Sequence, residues 1–418
     1  MIENPYILDL FAGPGGIDVA AHLLGVRSLG IEWDGDACAT RYSAGLKTWH
    51  ADVSAVRRSR FEELPGDLNI LAGGPPCQTY SIAGNGAGRK SLKTVQGLID
   101  ALVNGASEKE IDGQLNSAAG DPRTALVLEP LRYAIKALDS DRRNGRPFDV
   151  IVLEQVPQVA PIWEAYKIAL EKGLPGRNGT RVRYAVAEVK TLRTETYGVP
   201  QSRQRAVLIA RLAKYGTPPV PAPTHHSFNP HKPIEGGPDD HTLDTRHMAP
   251  WVPMEHVLGP ERGPEERVSP FEIVSNYGSG GNPQARGVRT HRQPAFTVTG
   301  KVSRNTVRYP NGNMHEPGRL TISEAGVLQT FPNDYPWRGG DQSQQVGNAV
   351  PPRFGVHVLA AALALPVPPE DRLEATWTTL MRGPARPEGG KPIRAVATGE
   401  IVGWSVAGKF HPLAEWQE

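Results

Sequence analysis

YILDLFAGPGG, residues Tyr6–Gly16, is a short apolar run that ends in a glycine-rich turn. IDVAAHLLG (Ile17–Gly25) follows at once, with apolar side chains at helical spacing and a closing glycine. A buried strand that feeds a helix through such a turn is the opening unit of a parallel α/β sheet. It also leaves the unpaired N–H groups of a helix N-terminus facing outward, where a polar ligand can dock. Outward from this unit the alternation continues. SLGIEWD (Ser28–Asp34) reads as a second strand and DACATRYSAGL as a second helix. LNILAGG and DVIVLEQV read as further buried strands with helical patterns between and after them. This βαβα order predicts an α/β fold: a doubly wound, mostly parallel, Rossmann-like sheet with ligands beyond the carboxyl ends of its strands.

YAVAEVKTL (Tyr184–Leu192) and AVLIARL (Ala206–Leu212) are joined by a polar connection and not by a long helix, so an antiparallel pair at the sheet edge is expected. Beyond Tyr215 the texture changes. TPPVPAPTHHSFNPHKP is dense in Pro and His, and helical periodicity stops until LTISEAGVLQTF. The expected organisation is a catalytic domain over 1–213, a loop-rich second domain over 214–318 and a return to the first over 319–365. A C-terminal extension, 366–418, has no role that the residues reveal. The segment 84–120 is a long insertion, and Val95, Leu98, Ile99, Leu102 and Val103 predict that it is helical.

Composition narrows the classes. Hydrophobic residues make up 39% and charged residues 22% of the 418, an ordinary globular balance. No run approaches the ~20 apolar residues of a membrane helix, and the N-terminus lacks the order of a signal peptide, so no membrane partner and a cytoplasmic location are expected. Cys38 and Cys77 are the only cysteines, too few for a disulfide framework or a four-cysteine zinc site, and no metal is expected. The formal net charge is only +2, but its distribution is uneven. Between Ile273 and His315 there is no Asp or Glu, while Arg286, Arg289, Arg292, Lys301, Arg304 and Arg308 fall there with Tyr277, Phe296 and Tyr309 interleaved. Such a segment suits either a solvated loop or a phosphate backbone.

Candidate chemistry collects at predicted strand ends. Glycines 13, 15 and 16 sit in the first turn; Glu32 ends the second strand, near the offset at which an acid meets ribose hydroxyls; Asp52 ends WHAD. These spacings imply a nucleoside-bearing cofactor and do not separate a nicotinamide dinucleotide from S-adenosylmethionine. Cys77 lies in GGPPCQTYS (Gly73–Ser81), where two prolines fix the backbone and deny it ladder hydrogen bonds. A thiolate there suits covalent attack on an electrophilic carbon, whereas Cys38, inside a helical pattern, reads as structural. Glu154, in VLEQV at the end of a predicted strand, is placed to share a proton with a substrate. In QSRQR, Gln201, Arg203 and Arg205 fall on one face at a two-residue period, and two guanidiniums there suit anionic or polar groups.

Taken in order, DLFAGPGG, GIEWD, GGPPCQTYS, QSRQR, RLTISEAGVLQTFP and QVGNAVPP resemble the motifs of the DNA (cytosine-5) methyltransferases, bacterial or phage type, over about Tyr6–Ala361. The resemblance implies methyl transfer from S-adenosyl-L-methionine to carbon-5 of a flipped-out cytosine in double-stranded DNA. Cys77 would add to carbon-6 and leave by elimination after methylation, and Glu154 would hold or protonate ring N3. Arg203 and Arg205 would position the base, a neighbouring phosphate or the catalytic loop. Phe11, Gly13, Gly15, Gly16, Glu32, Trp33, Asp52, Val53, Pro75, Asn348 and Ala349 would line the cofactor pocket. Gln78, Ser81, Gln201, Arg286, Arg289, Arg292, Lys301 and Arg304 would face DNA, with 214–318 as the target-recognition domain. A monomer is expected; whether a cognate restriction endonuclease accompanies it stays open.

The sequence departs from the family twice. Gln155 stands where Asn usually follows the catalytic Glu, and DPR (Asp121–Arg123), which usually comes soon after the Cys loop, arrives late. The insertion is expected either beside DNA, closing over the flipped base, or as a solvent-facing decoration. Two other readings compete: an RNA methyltransferase of the same superfamily, and a catalytically silent DNA-binding member. A nicotinamide oxidoreductase shares only the first motif.

Overall fold

The computed structural model describes residues 2–76, 86–117, 122–244, 246–265, 267, 269–275, 286–310 and 318–381, and the strand segments 391–394, 401–406 and 409–412. Five parallel strands form the centre: β1 (Tyr6–Leu10), β2 (Arg27–Glu32), β3 (Thr48–His50), β4 (Ile70–Gly73) and β5 (Val150–Gln155), in the order β3-β2-β1-β4-β5. β1, β4 and nearly all of β5 are buried, as near-continuous apolar runs in a parallel sheet must be. After a two-stranded hairpin, β6 (Leu174–Pro175) and β7 (Arg181–Val182), come β8 (Tyr184–Val186), β9 (Lys190–Arg193) and β10 (Gln204–Leu212). β10 joins β5 antiparallel, and β8 and β9 both pair with its far edge. YAVAEVKTL is therefore two short strands and not one.

Side chains alternate across this sheet, so each strand feeds two cores. Leu8, Leu10, Ile31, Leu71 and Leu153 belong to one; Ile7, Ile70, Ala72, Val150 and Val152 belong to the other. The first core is closed by α4 (Gly86–Val103), α6 (Glu129–Asp139) and α7 (Ala160–Lys172), the second by α1 (Gly16–Leu23) and α11 (Pro352–Leu363). α2 (Gly35–Ser43) and α3 (Val53–Ala55) connect the β2–β3 end, and α5 (Glu108–Ser117) follows α4. Helices on both faces make the sheet doubly wound, as the sequence predicts. Strand order reverses between β1 and β4, which opens a crevice at their carboxyl ends.

The second region is built differently. α8 (Glu255–Leu258) and the strands β11 (Glu272–Ser275), β12 (Gly287–Thr290), β13 (Asn305–Arg308) and β14 (Gly318–Arg319) form a small antiparallel unit ordered β12-β11-β13-β14. The chain returns through α9 (Ile322–Leu328), whose Thr321–Glu324 capping box also takes Arg267 as an ion-pair partner. α10 (Gln342–Asn348) then leads into α11.

The insertion is not a decoration. Val95, Leu98, Ile99, Leu102, Val103 and Ile111 are buried in the first core. Glu108 pairs with Arg57 and Arg132, and Asp112 with Arg132. Past α11, α12 (Glu370–Leu373) and α13 (Trp377–Met381) pack back on the sheet domain. Trp377 is buried and donates to the Ala44 carbonyl at 3.1 Å. Strands β15 (Lys391–Arg394), β16 (Ile401–Val406) and β17 (Lys409–Pro412) make a separate antiparallel sheet.

Candidate active site

The crevice at the reversal of strand order is a cavity of about 480 Å3. One wall is the first turn. Phe11 leaves β1 with φ of 59°, a left-handed value that a bulky residue adopts at a cost, and its ring lines the cavity. Gly15, at φ 106°, is the N-cap of α1, a conformation open to glycine and strained for other residues. Gly16 lies so close to the Val350 carbonyl that a Cβ would come within 2.1 Å of it, which seats the turn against the segment after α10.

The acids are held by backbone amides. Glu32 accepts from Gly13 N at 2.7 Å through Oε2, and from Trp33 N and Asp34 N through Oε1. This fixes the carboxylate while leaving lone pairs toward the cavity. Asp52 caps α3 by accepting from Ala55 N at 2.7 Å. Trp33, 69% exposed, is a flat aromatic wall at the rim. Asp9, 1% exposed, also lines the cavity, and neither carboxylate oxygen has a well-formed hydrogen bond among the described residues. Burial, and then the neighbouring Asp18 charge, raise its pKa well above the usual carboxylate range. Asp18 itself is committed to Arg41 at 2.6 Å, both side chains fully buried.

At the opposite wall, Glu154 is the penultimate residue of β5 and its Oε1 lies 2.7 Å from Arg205 Nε on β10. Both side chains are about nine-tenths buried and line the cavity. Burial lowers the Arg205 pKa, and Glu154 opposes that shift. Gln155, next in β5, donates from Nε2 to the Pro75 carbonyl at 2.7 Å and accepts from Val156 N at 2.6 Å. The amide thus ties the carboxylate strand to the segment two residues before Cys77. Flat aromatics, an amide-held acid at a strand end and a glycine turn on a helix N-terminus together suit a nucleoside.

The C-5 cytosine-specific DNA methylase family profile matches residues 6–102 and 180–363, more than half of the chain. The chain belongs to that family. It is a DNA (cytosine-5) methyltransferase. Relatives include the type II methyltransferase M.AplI of Arthrospira platensis, 26% identical over 91% of this chain and 88% of the relative. The type II methyltransferase M.PspPI of a Psychrobacter species is 24% identical over 86% and 79% respectively. In fold, the enzyme is similar to the methyltransferase EhMeth of Entamoeba histolytica (TM-score 0.51, 12% identity, 87% of this chain and 99% of that one). It is also similar to the Dnmt2 methyltransferase of S. pombe (TM-score 0.50, 13% identity, 86% and 98%).

Of the residues singled out from the sequence, Phe11, Gly13, Gly16, Glu32, Trp33, Asp52, Val53, Asn348, Ala349, Glu154 and Arg205 meet at this one cavity. Gly15 shapes its turn from behind, and Pro75 is buried with its carbonyl accepting from Gln155. Cys77, Gln78 and Ser81 lie outside the described residues. Arg203 and Gln201 do not open into the cavity. Both precede β10, and both are spent on carbonyls and amides of other segments, because α9, α10 and the 295–298 segment close over them.

The acid-free basic run also divides. Arg289 is buried between the rings of Phe228 and Phe296 and donates to the Pro294 carbonyl. Arg292 pairs with Asp239 and Arg308 with Glu272, acids that lie outside the run. Arg286, Lys301 and Arg304 are exposed. Cys38 is buried, and burial followed by the Glu32 charge push its thiol up to about 11, which suits an inert side chain. Asp9, Gln344 and Gln345 also line the cavity and escaped the sequence reading. Asp9 carried a signal, a lone acid inside a fully apolar strand. Among the described residues no helix is long and apolar enough to cross a membrane, and no cluster of three or more His, Cys, Asp or Glu is placed to hold a metal.

Proposed function

We propose that this chain transfers a methyl group from S-adenosyl-L-methionine to carbon-5 of a cytosine in double-stranded DNA, through a covalent adduct with Cys77. The observation that carries the reading is the Glu154–Arg205 pair facing the same cavity as the Glu32 turn. One wall suits a nucleoside and the other a polar base.

S-adenosyl-L-methionine supplies the methyl group. Phe11 and Trp33 would flank its adenine, Glu32 its ribose and Asp52 its base edge. Arg205 orients the Glu154 carboxyl toward ring N3, where it would hold a proton and stabilise the charge that attack creates. The Cys77 sulfur would bond to carbon-6 while the C5–C6 π pair moves to carbon-5, making that carbon nucleophilic. Carbon-5 would take the methyl as the methyl–sulfur bond of the donor breaks and S-adenosyl-L-homocysteine is left; loss of the carbon-5 proton to water would then restore the double bond and expel the Cys77 sulfur. Gln155 would hold the backbone before Cys77 at a fixed distance from Glu154.

Residues 214–318 would read the target, with Arg286, Lys301 and Arg304 on phosphates. The enzyme would act as a cytoplasmic monomer, with or without a cognate restriction endonuclease. The test is transfer of labelled methyl to DNA and to RNA, with Cys77→Ala as control. Label in DNA from wild type alone supports the reading. Label confined to RNA moves the activity to the other polymer, and no label in either defeats it. Trapping on DNA carrying 5-fluorocytosine identifies the sulfur, because fluorine blocks the final elimination.

A further inference from the structure

Arg203 is 2% exposed and reaches two stretches of chain far from it in sequence. Its Nη1 donates to the Val298 carbonyl at 2.9 Å; its Nη2 donates to the Gly347 and Ala349 carbonyls at 3.0 and 3.2 Å. Among the described residues it forms no ion pair with a carboxylate. A buried cation with no carboxylate in direct contact costs free energy that an apolar side chain of similar size would not. What the planar fork provides in return is simultaneous hold on carbonyls of two segments, which Met cannot reproduce and Lys reproduces only in part.

Other contacts join the same two segments. Gln201 Oε1 accepts from Val298 N at 2.9 Å, so residue 298 is held on both its N–H and its carbonyl. Gln201 Nε2 donates to Leu328 O and Gln329 Oε1, and Gln329 Nε2 donates to Val346 O at 2.7 Å. The backbones touch as well. A Cβ on Gly347 would stand 2.0 Å from Gly300 N and 2.2 Å from the Thr299 carbonyl carbon. Immediately beyond Gly300 come the exposed Lys301 and Arg304; on the other side, Gly347, Asn348 and Ala349 line the cavity.

We propose that Arg203 is a positioning residue which couples the segment Val298–Gly300 to the cavity loop Gly347–Ala349, so that DNA and cofactor each strengthen binding of the other. This rests on the function proposed above. A DNA phosphate on Lys301 or Arg304 favours one placement of the 298–300 segment. Through the shared guanidinium and the Gly300–Gly347 contact, that placement favours one shape of the cofactor wall. Such coupling is reciprocal, so each ligand must raise the affinity of the other by the same factor.

The experiment is calorimetric titration of the full chain with S-adenosyl-L-homocysteine, with and without unmethylated plasmid DNA cut into short duplexes. Wild type should bind the probe about fivefold or more tightly when DNA is present. Arg203→Met should bring that ratio close to one, and Arg203→Lys should keep part of it. Gly347→Ala, which forces the two backbones apart while leaving Arg203 in place, should also lower the ratio and decides the matter should Arg203→Met not fold. Cooperatively melting Arg203→Met or Gly347→Ala protein with the wild-type ratio overturns the proposal, as does a wild-type ratio of one with both ligands bound. Wild-type protein that binds neither probe defeats the proposed function, and the coupling with it.

Discussion

Gln155 stands one residue after Glu154, and its amide reaches Pro75, two residues before Cys77. Gln155→Ala removes that bond, so the single-turnover rate of methyl transfer should fall about 5- to 30-fold, as expected for ~1–2 kcal/mol. Affinity for S-adenosylhomocysteine should change less than twofold. Gln155→Asn should slow the reaction too, although Asn is the family's usual residue. In this chain the strand-to-loop distance is set by the longer side chain. A rate for Gln155→Asn at or above wild type would show that the loop adjusts to the amide. The two cysteines should behave oppositely. Cys38→Ala keeps activity and costs about 1 kcal/mol or less in urea unfolding, because only a small buried thiol is lost. Cys77→Ala should abolish transfer and 5-fluorocytosine trapping.

The insertion shows how an element can look optional in sequence and be required in the fold. α4 buries five apolar side chains in the core beside α7, so deleting residues 92–118 removes part of that core and not a lid. Such a deletion should give protein without a cooperative thermal transition. A milder change separates anchoring from folding. Glu108 holds the buried Arg57 and Arg132; burial opposes its ionisation, but hydrogen bonding and charge from the two arginines lower its pKa on balance. Glu108→Gln should lower stability by about 1–2 kcal/mol in urea at pH 7 while leaving the chain folded.

At the scale of the whole molecule, buried histidines couple stability to pH, and His357 and His225 are shifted furthest among them. Burial first, and then the Arg353 charge, lower His357 and His225 to about 4; His225 also meets Glu370 and His226. Both stay neutral in the fold while the unfolded chain takes up protons near 6.5. Their effect is absent above that pH, and stability falls as pH drops from about 6.5 toward 4. His357, 5% exposed, would account for a loss on the order of 3 kcal/mol at the lower end. Thermal melts across this range should show the decline, and His357→Gln should flatten it. Salt acts on the proposed DNA face. The slope of log affinity against log salt should fall by about one for Lys301→Ala and again for Arg304→Ala. Arg289→Ala should lower the melting temperature, because that guanidinium is packed between two rings.

Some of this was readable because it is local. Apolar runs, helical spacing and closing glycines mark strand ends over a few residues, and in a parallel sheet those ends share one edge. Phe11, Glu32, Asp52 and Glu154 therefore meet at one cavity, as their positions at predicted strand ends imply. The rest depended on which distant segments meet. A two-residue period puts Arg203 and Arg205 on one face, yet one faces the cavity and the other is sealed by residues 95 and more positions away. The basic run holds no acid of its own and is partly neutralised by Asp239 and Glu272. Strand and helix follow from short-range hydrogen bonding and side-chain periodicity. Burial and charge pairing are settled only when the folded chain brings remote segments within a few ångströms of one another.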